Sequence, residues 1–204
     1  MTTLPDGVRH IAGALDPEAQ TALVDDIRAV VAQAPLFVPA MPRTGKPMSV
    51  RMSNCGPLGW VTDKARGYRY QPAHPVTGEP WPAIPPQLLA LWTEVTGYPH
   101  PPEACLINFY APDTKMGLHQ DRDEADFDAP VLSISLGDDC LFRIGGTRRG
   151  GKTMSLRLVS GDIVVLGGAS RLAYHGVDRI YPGTSMLLEK AGRINLTLRR
   201  VTVP

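Results

Sequence analysis

Two segments in the first half of the 204-residue chain have the spacing of apolar residues that is typical of helices. Between residues 23 and 34, apolar side chains recur every three or four positions, which gives a helix one apolar face. Asp16 suits the N-cap, Pro17 suits the first helical position, and Pro35 would end the helix. Residues 85–97 repeat this arrangement, with prolines at the start and a glycine at the end. The pattern predicts two amphipathic helices.

From residue 103 onward, apolar and polar positions alternate as in half-buried strands. Leu132, Ile134 and Leu136 would face one side of a strand, and Ser133 and Ser135 the other. Turns containing Gly or Asp separate the runs, a rhythm typical of all-β sandwiches and barrels. The predicted fold is mainly β with flanking helices and a jelly-roll-like body. Its strands would be ACLINFY, PVLSISLG, CLFRI, KTMSLRLV, DIVVLGG, RLAYHG and RINLTLRRV.

The segment between the two predicted helices is rich in Pro and Gly and has only short β-prone pieces, MSVRMSNCG and YRYQ. We interpret residues 35–86 as an ordered flap that is too irregular for a core sheet. No repeat or low-complexity tract marks a second domain. We therefore expect a single domain over 1–204, with helices and flap in 1–102 and the β core in 103–204.

Charge, hydrophobicity and cysteine content limit the kinds of protein that the chain could be. Twenty-one Lys and Arg balance 20 Asp and Glu, so any affinity for nucleic acid must come from local patches and not from the net charge of +1. No stretch predicts a signal peptide or a membrane span. Cys55, Cys105 and Cys140 are odd in number and lack CxxC spacing, which argues against disulfides and zinc fingers. We expect a cytoplasmic protein.

A candidate metal site lies in LHQDRDEAD, where His119 and Asp121 are two residues apart. In extended backbone both side chains would project from the same face. His175, in RLAYHGV, is the second histidine candidate. Two histidines and one carboxylate leave coordination positions open, as ferrous iron needs in order to bind a cosubstrate and dioxygen. HxD also occurs by chance, and an Asp-rich stretch is often a solvated loop, so the spacing alone leaves both interpretations open.

A candidate anion site lies in RINLTLRRV near the C-terminus. In a strand, Arg193, Asn195, Thr197 and Arg199 share one face. If that face is solvated, no ligand is required. If it lines the barrel interior, the buried guanidinium groups need an anionic ligand, since burying unpaired charges costs several kcal/mol each. Two further neutral donors to such an acid would be Asn108 and Tyr110.

A candidate surface for unstacked bases lies in the flap. The aromatic and thioether side chains of Met52, Trp60, Tyr68 and Tyr70 are interleaved with basic residues. Flat apolar groups next to cations suit a base and its phosphates. The alternative is that these aromatic residues only pack the flap against the core.

With HxD, a distant His and Arg-x-Asn-x-Thr-x-Arg, the sequence resembles the AlkB family of iron(II) and 2-oxoglutarate dependent dioxygenases. The resemblance covers most of the chain and is carried, in order, by MSNCGPLGW, GYRYQP, INFYAP, LHQDRDE, GDIVVLGGASRLAYHG and RINLTLR. It implies a double-stranded β-helix, the jelly-roll core, carrying an N-terminal nucleotide-recognition lid.

The resemblance also implies roles for individual residues. His119, Asp121 and His175 match the iron ligands. Arg199 is expected to pair with the far carboxylate of 2-oxoglutarate and Arg193 to lie nearer the iron-bound end. The remaining matches are Asn108, Tyr110 and Asn195 for 2-oxoglutarate, and Met52, Trp60, Tyr68, Asp123 and Arg148 for the substrate. The loop around Arg148 and the presence of Leu166, where some relatives carry Trp, depart from the family pattern.

The activity implied by the resemblance is repair of alkylated single-stranded DNA, with RNA as an open alternative, by a monomer that needs no membrane. Fe(II), 2-oxoglutarate and O₂ would hydroxylate the N-methyl group of 1-methyladenine or 3-methylcytosine, which releases formaldehyde and succinate. Two other classes stay open from the residues alone. One is a non-catalytic nucleic-acid-binding module with a structural metal, and the other is a cupin-like metalloenzyme of different chemistry.

Overall fold

Antiparallel strands outnumber helices in the computed structural model, which describes residues 4–204. In chain order the elements are β1 (Val8–Ile11), α1 (Pro17–Gln33), β2 (Arg51–Cys55), β3 (Gly59–Asp63), β4 (Gly67–Gln71), α2 (Pro86–Thr96), β5 (Ala104–Tyr110), β6 (Met116–His119), β7 (Val131–Gly137), β8 (Asp139–Ile144), β9 (Met154–Leu158), β10 (Ile163–Leu166), β11 (His175–Tyr181) and β12 (Arg193–Arg199).

The strands within residues 4–204 form two sheets and a hairpin. The major sheet has the order β1-β10-β7-β12-β5-β2, and the minor sheet has the order β6-β11-β8-β9. Strands β3 and β4 pair only with each other among the described residues, and we call them the lid hairpin. Side chains from the inner faces of both sheets pack in one cluster, including Val131 and Val164 with Phe142 and Val177. This arrangement confirms the predicted jelly-roll class.

The two predicted helices form where their end signals lie. The Asp16 carboxylate accepts a hydrogen bond of 2.8 Å from the Ala19 amide at the start of α1. At the end of α2, Gly97 adopts the left-handed conformation with φ +63°, which suits glycine as a C-cap. Leu23 of α1 and Trp92 of α2 are fully buried against the outer face of the major sheet. The helices therefore cover the face that does not carry the site.

The alternation in β7 and β12 sorts apolar and polar side chains as the sequence predicted. Leu132, Ile134 and Leu136 join the cluster under the helices, together with Leu196 and Leu198 of β12. The polar residues of both strands face the space between the sheets, where Arg193, Asn195, Thr197 and Arg199 all line one cavity. The alternative of a solvated strand face is thereby excluded for β12.

The flap is more regular than the sequence suggested. Strand β2, inside the segment that we expected to be too irregular for a core sheet, pairs with β5 from Arg51↔Phe109 to Cys55↔Cys105. That prediction was wrong because Ser53 and Asn54 look like loop residues but are fully buried. Ser53 donates a 2.6 Å hydrogen bond to the Ala34 carbonyl, which satisfies its hydroxyl. Since β1 also joins the major sheet, both sides of residue 102 contribute to the β core.

The three cysteines are free and buried, as their spacing predicted. Cys55 and Cys105 face each other across β2 and β5 in the register of the major sheet. Among residues 4–204, no helix has the length and apolar character that crossing a membrane requires.

Candidate functional site

The two candidate histidine ligands meet because β6 and β11 pair directly. The register places His119 opposite His175, and their rings lie 4.6 Å apart. A Cβ at Gly176 would lie 2.5 Å from the Met116 carbonyl oxygen, so the glycine allows this close approach of the strands. Asp121 follows the end of β6. Its carboxylate oxygens lie 3.7 Å from Nε2 of His119 and 3.8 Å from Nε2 of His175.

These three side chains have the donor set and spacing of a metal site. Their candidate ligand atoms all lie within 4.8 Å of one another, and they form the one such group of His, Cys, Asp and Glu among residues 4–204. Bonds of about 2.0–2.2 Å to nitrogen and oxygen would draw the three atoms onto one divalent ion with small side-chain adjustments. The donor set of two imidazoles and one carboxylate suits ferrous iron with positions left open.

Hydrogen bonds prepare each ligand for an ion. Nδ1 of His119 lies 3.0 Å from the Gly117 carbonyl, and Nδ1 of His175 lies 2.9 Å from the Ala173 carbonyl. Each Nδ1 therefore carries the proton, which leaves the lone pair of Nε2 free to bind a metal. Oδ2 of Asp121 is buried without a hydrogen-bond partner in the described part of the chain. A buried carboxylate oxygen without a partner is costly, and a bound cation would satisfy it.

The site also holds its ligands in the protonation states that a metal needs. Burial, reinforced by the nearby His119, lowers the pKa of His175 to about 4, so its imidazole is neutral at pH 7. Burial alone would raise the pKa of Asp121, but Arg199 and the two histidines outweigh it and hold that pKa below its usual range. Asp121 is therefore an anion at neutral pH.

A cationic pocket that suits an acid lies beside the candidate metal ligands. Arg193 is 1% exposed, and its guanidinium packs 5.4 Å from the centre of the Tyr110 ring. Its Nη2 donates to Ser135 Oγ at 3.0 Å, whereas Nε and Nη1 have no hydrogen-bond partner in residues 4–204. Two buried donors on a cation that lack partners indicate a missing anion. A carboxylate would fill this position.

Arg199 lies at the opposite end of the pocket from the one that the family resemblance implied. Its Nη2 is 2.8 Å from Oδ1 of Asp121, so it stands next to the candidate metal. The expected order, with Arg199 at the far carboxylate and Arg193 nearer the iron, is therefore reversed. Spacing along β12 could not decide this order, because the direction of the strand relative to the metal depends on how β12 pairs with β5 and β7.

Neutral polar groups line the pocket between the two arginines. Asn195 donates through Nδ2 to Ser133 Oγ at 2.7 Å, and Thr197 donates to Asn195 Oδ1 at 3.0 Å. Asn108 stands opposite Asn195 in the β5–β12 register, and Tyr110 stands opposite Arg193. All of these side chains border the same cavity. The structure places five predicted residues around the same pocket: Asn108, Tyr110, Arg193, Asn195 and Arg199.

A buried charge network behind Asp121 was missed at the level of sequence. Glu124 and Arg171 are each at most 5% exposed, and Nη2 of Arg171 bonds to Oε2 of Glu124 at 3.1 Å. Arg171 also donates to the Asp121 carbonyl at 2.8 Å. Glu124 is hydrogen-bonded to the Tyr70 hydroxyl, and Nε of Arg199 lies 3.6 Å from Glu124 Oε1. Charges separated by about 50 residues along the chain thus neutralise one another, and no local signal predicts such pairing.

Each carboxylate in the acidic segment LHQDRDEAD has its own hydrogen-bond or ion-pair partner. Asp123 accepts from Trp60 Nε1 at 2.8 Å, and Asp126 accepts from the Tyr98 hydroxyl at 2.7 Å. Asp121 and Glu124 face Arg199 and Arg171, as described above. The acidic loop is therefore a folded part of the site and not a solvated segment.

The cavity in front of the candidate metal ligands is large enough for a nucleobase. Its volume is about 570 Å³, which lies within the usual range of about 300–1,000 Å³ for small-molecule sites. Trp60 and Tyr68 of the lid hairpin line it, and their rings stack with centroids 5.6 Å apart. The Trp60–Asp123 hydrogen bond connects the lid hairpin to the loop that carries Asp121.

Of the other residues that we expected to contact the substrate, Met52 lines the cavity, whereas Arg148 and Tyr70 do not. Met52 lines the cavity from strand β2, although it is only 1% exposed. Arg148 is exposed in the β8–β9 connection and is not part of the cavity wall formed by the described residues, whereas its neighbour Arg149 is. Tyr70 points away from the lid surface into the Glu124 network, so it does not belong to the base-contacting group that we predicted from the flap.

Comparison with known proteins assigns the chain to a family. Residues 7–199 match the model of the 2OG-Fe(II) oxygenase superfamily. The alpha-ketoglutarate-dependent dioxygenase AlkB homolog of Caulobacter vibrioides is 58% identical over 188 residues, which cover 92% of this chain and 84% of that protein. The alpha-ketoglutarate-dependent dioxygenase AlkB of Escherichia coli K12 is 45% identical, over 89% of this chain and 85% of that protein.

A solved structure agrees with the sequence comparison. The structure of OsALKBH1 superposes with a TM-score of 0.85 at 29% identity, and the match covers 98% of this chain and 99% of that chain. The fold is therefore shared with a structurally characterised protein over almost the whole chain.

Proposed function

The chain belongs to the AlkB family of the 2OG-Fe(II) oxygenase superfamily, and from this premise we propose that it removes methyl groups oxidatively from N-alkylated nucleobases. The reaction consumes the methylated base, 2-oxoglutarate and O₂ and yields the restored base, formaldehyde, succinate and CO₂. The substrates we propose are 1-methyladenine and 3-methylcytosine in single-stranded DNA, with RNA as a second polymer to be compared.

The residues present fit the iron that membership of this family implies. His119 and His175 would bind through Nε2 and Asp121 through its carboxylate, for which the partnerless Oδ2 atom is available among the described residues. Bound Fe(II), with 2-oxoglutarate and O₂, supplies the oxidising chemistry that hydroxylates an unactivated methyl carbon. The protein holds the reactants in position and keeps the methyl group facing the metal.

The cationic pocket would hold 2-oxoglutarate in one orientation. Arg193 has unpaired donors at the deep end of the pocket and would bind the carboxylate far from the metal. Arg199, beside Asp121, would lie at the metal-bound end. Asn108, Tyr110 and Asn195 line the pocket between these positions and would contact the acid with neutral groups. A diacid thus complements both arginines.

The lid hairpin and the acidic loop would hold the base. Trp60 and Tyr68 offer aromatic surfaces at the mouth of the cavity, and a base flipped out of its stack binds well against such surfaces. Asp123 lies two residues from a metal ligand and bonds to Trp60. Its negative charge complements 1-methyladenine and 3-methylcytosine, which are cationic. Met52 would contact the base from the cavity wall.

We propose single strands as the preferred polymer because extrusion costs least when a base is unpaired, and methylation at these nitrogens blocks Watson–Crick pairing. Exposed cations at the cavity, including Arg122 and Arg149, would contact phosphates. We further propose that residues 1–204 act as one domain and as a monomer, since one chain supplies every group of the site. Three reduced cysteines support a cytoplasmic location.

One observation carries this proposal: the two-histidine, one-aspartate group and the partnerless donors of Arg193 open into the same cavity as the lid aromatics. A structural metal in a binding module would not need the cationic pocket. A cupin-like enzyme of other chemistry would not need the lid hairpin.

The test is a turnover assay. The protein is incubated with Fe(II), 2-oxoglutarate, O₂ and an oligonucleotide that contains a single 1-methyladenine, and formaldehyde and succinate are quantified. We expect both products in near-equal amounts, and neither the unmethylated oligonucleotide nor omission of 2-oxoglutarate should give formaldehyde. Bound iron with no formaldehyde from methylated DNA or RNA would refute the proposal. Matched DNA and RNA oligonucleotides in the same assay determine the preferred polymer.

A further inference from the structure

Tyr70 connects the lid hairpin to the charge network behind the metal ligands. Its side chain leaves strand β4 and reaches the interior, where its hydroxyl donates a hydrogen bond to Oε1 of Glu124. The same hydroxyl accepts a hydrogen bond of 3.2 Å from Nη1 of Arg199. Arg199 in turn forms an ion pair with Asp121, with Nη2 at 2.8 Å from Oδ1. A continuous path of one hydrogen bond and one ion pair therefore runs from the lid hairpin through Arg199 to the candidate metal ligand.

The guanidinium of Arg199 depends on few contacts for its orientation. Its Nε has no hydrogen-bond partner among residues 4–204, and its distance of 3.6 Å to Glu124 is too long for a hydrogen bond. Within that part of the chain, the contacts that orient the guanidinium are the hydrogen bond to the Tyr70 hydroxyl and the ion pair with Asp121. Loss of the Tyr70 hydroxyl would leave Arg199 free to rotate about its remaining contact with Asp121.

Building on the proposed function, we propose that Tyr70 is a positioning residue that couples the lid hairpin to the metal. Its hydroxyl orients Arg199 and Glu124, and Arg199 holds Oδ1 of Asp121 so that Oδ2 faces the ion. Tyr70 touches neither the metal nor the base in this arrangement. It acts through Arg199, and removing its hydroxyl weakens metal binding while the lid aromatics stay in place.

The chemistry of the hydroxyl suits this role. Burial raises the pKa of Tyr70 well above its ordinary value, with Glu124 adding to the effect against the opposing charge of Arg199. The hydroxyl therefore stays protonated and can donate to a carboxylate while it accepts from a guanidinium. Phenylalanine keeps the ring and its packing but can do neither. Outer groups that orient metal ligands usually contribute about 10–100-fold to metal affinity or activity.

Coupling of this kind is reciprocal. If the position of the lid hairpin favours metal binding through Tyr70, then a bound metal must favour, by the same factor, whatever the lid hairpin binds. Metal should thus increase the affinity of the protein for a methylated oligonucleotide. The share of this gain in oligonucleotide affinity that depends on the Tyr70 hydroxyl should be lost when the hydroxyl is removed.

The test uses Mn(II) as a redox-inactive probe and the variant Tyr70→Phe. The matched control is Tyr98→Phe, which removes another tyrosine–carboxylate hydrogen bond from the same acidic loop, the 2.7 Å contact with Asp126. Mn(II) affinity is measured from the free-ion electron paramagnetic resonance signal. Oligonucleotide affinity is then measured by fluorescence anisotropy with and without Mn(II). Thermal unfolding of the metal-free proteins reports on folding.

We expect Tyr70→Phe to bind Mn(II) about 10–100-fold more weakly than the wild type, and Mn(II) to increase its oligonucleotide affinity less than it does for the wild type. Tyr98→Phe should keep wild-type values for both. Equal Mn(II) affinity in Tyr70→Phe and the wild type would overturn the inference, as would an equal loss in Tyr98→Phe. If Tyr70→Phe does not fold, Glu124→Gln serves instead and should also weaken Mn(II). If the wild-type protein binds no Mn(II), the metal site itself is wrong. If the wild type and Tyr70→Phe bind Mn(II) equally tightly, the metal site stands and only the role of Tyr70 is wrong.

Discussion

Replacing Arg193 with methionine should have opposite effects on stability and on cosubstrate binding. Arg193 is 1% exposed and keeps two donors, Nε and Nη1, without partners in the part of the chain that the structure describes. Methionine has a long, unbranched side chain like the stem of arginine, but it carries no charge. The substitution therefore removes a costly buried cation from the ligand-free protein and a binding group from the loaded one.

The expected loss of 2-oxoglutarate affinity follows from the two free donors. Hydrogen bonds to charged groups contribute about 1.5–3 kcal/mol each, so two of them contribute about 3–6 kcal/mol. At about 1.4 kcal/mol per factor of ten, the dissociation constant should rise by about 10²–10⁴. Isothermal titration of the Mn(II)-loaded protein with 2-oxoglutarate measures this constant without turnover.

The expected gain in stability is smaller. Leaving each of the two buried donors unsatisfied costs about 1–3 kcal/mol, and the variant no longer bears these costs. It also loses the Ser135 hydrogen bond and the contact with the Tyr110 ring, which together offset about 1–2 kcal/mol. We expect a net gain of about 2 kcal/mol, or about 4–8 °C in Tm of the metal-free protein.

The control for Arg193→Met is Arg28→Met, which removes an exposed guanidinium that pairs with Asp25 and Glu189 on the outside of α1. It should change neither quantity appreciably. A drop of several degrees in Tm for Arg193→Met, with 2-oxoglutarate affinity within about threefold of the wild type, would show that Arg193 is a structural arginine and not the binding group for a carboxylate.

Three further predictions concern the metal ligands and the nucleic acid. Asp121→Ala should abolish formaldehyde release but keep oligonucleotide binding to metal-free protein; normal turnover would refute its assignment as a ligand. Affinity for single-stranded DNA should fall with a log–log salt slope near about −2 if cations such as Arg122 and Arg149 neutralise about three phosphates, and a slope of zero would exclude that contact. Burial lowers the pKa of His175 to about 4, below the ordinary value of about 6.5 for histidine. As the pH falls, the unfolded chain therefore binds this proton before the folded chain does. The metal-free protein should lose stability as the pH falls from about 6.5 to about 4. Thermal unfolding across that range should show a smaller loss for His175→Gln, and an identical loss would contradict the shift.

The strand pattern predicted the face of each key side chain. Strict alternation in β12 put Arg193 and Arg199 on one face and Leu196 and Leu198 on the other, and the structure follows that division. The spacing of His119 and Asp121 also predicted that they converge. Both predictions depend on the period of an extended chain, a local property that neighbouring residues determine.

Long-range pairing was beyond prediction from the sequence. The order of Arg193 and Arg199 along the acid pocket depends on the pairing of β12 with distant strands, and the neutralisation of Glu124 depends on Arg171, which lies 47 residues away. Strand β2 was missed because the buried Asn54 is satisfied by two hydrogen bonds to the backbone of Trp60 in the lid hairpin, a contact between elements that the local sequence does not show. Each of these features is decided by tertiary contacts and leaves no local pattern.

Anomalous scattering from a crystal that has been soaked without oxygen in Mn(II) and 2-oxoglutarate would locate the ion and the acid in one experiment. We expect one manganese bound by Nε2 of His119, Nε2 of His175 and the carboxylate of Asp121, at bond lengths of about 2.0–2.2 Å. We also expect one carboxylate of 2-oxoglutarate against Arg193 and the other end of the acid on the ion. Manganese bound elsewhere, or these three side chains too far apart to share it, would rule out the proposed site.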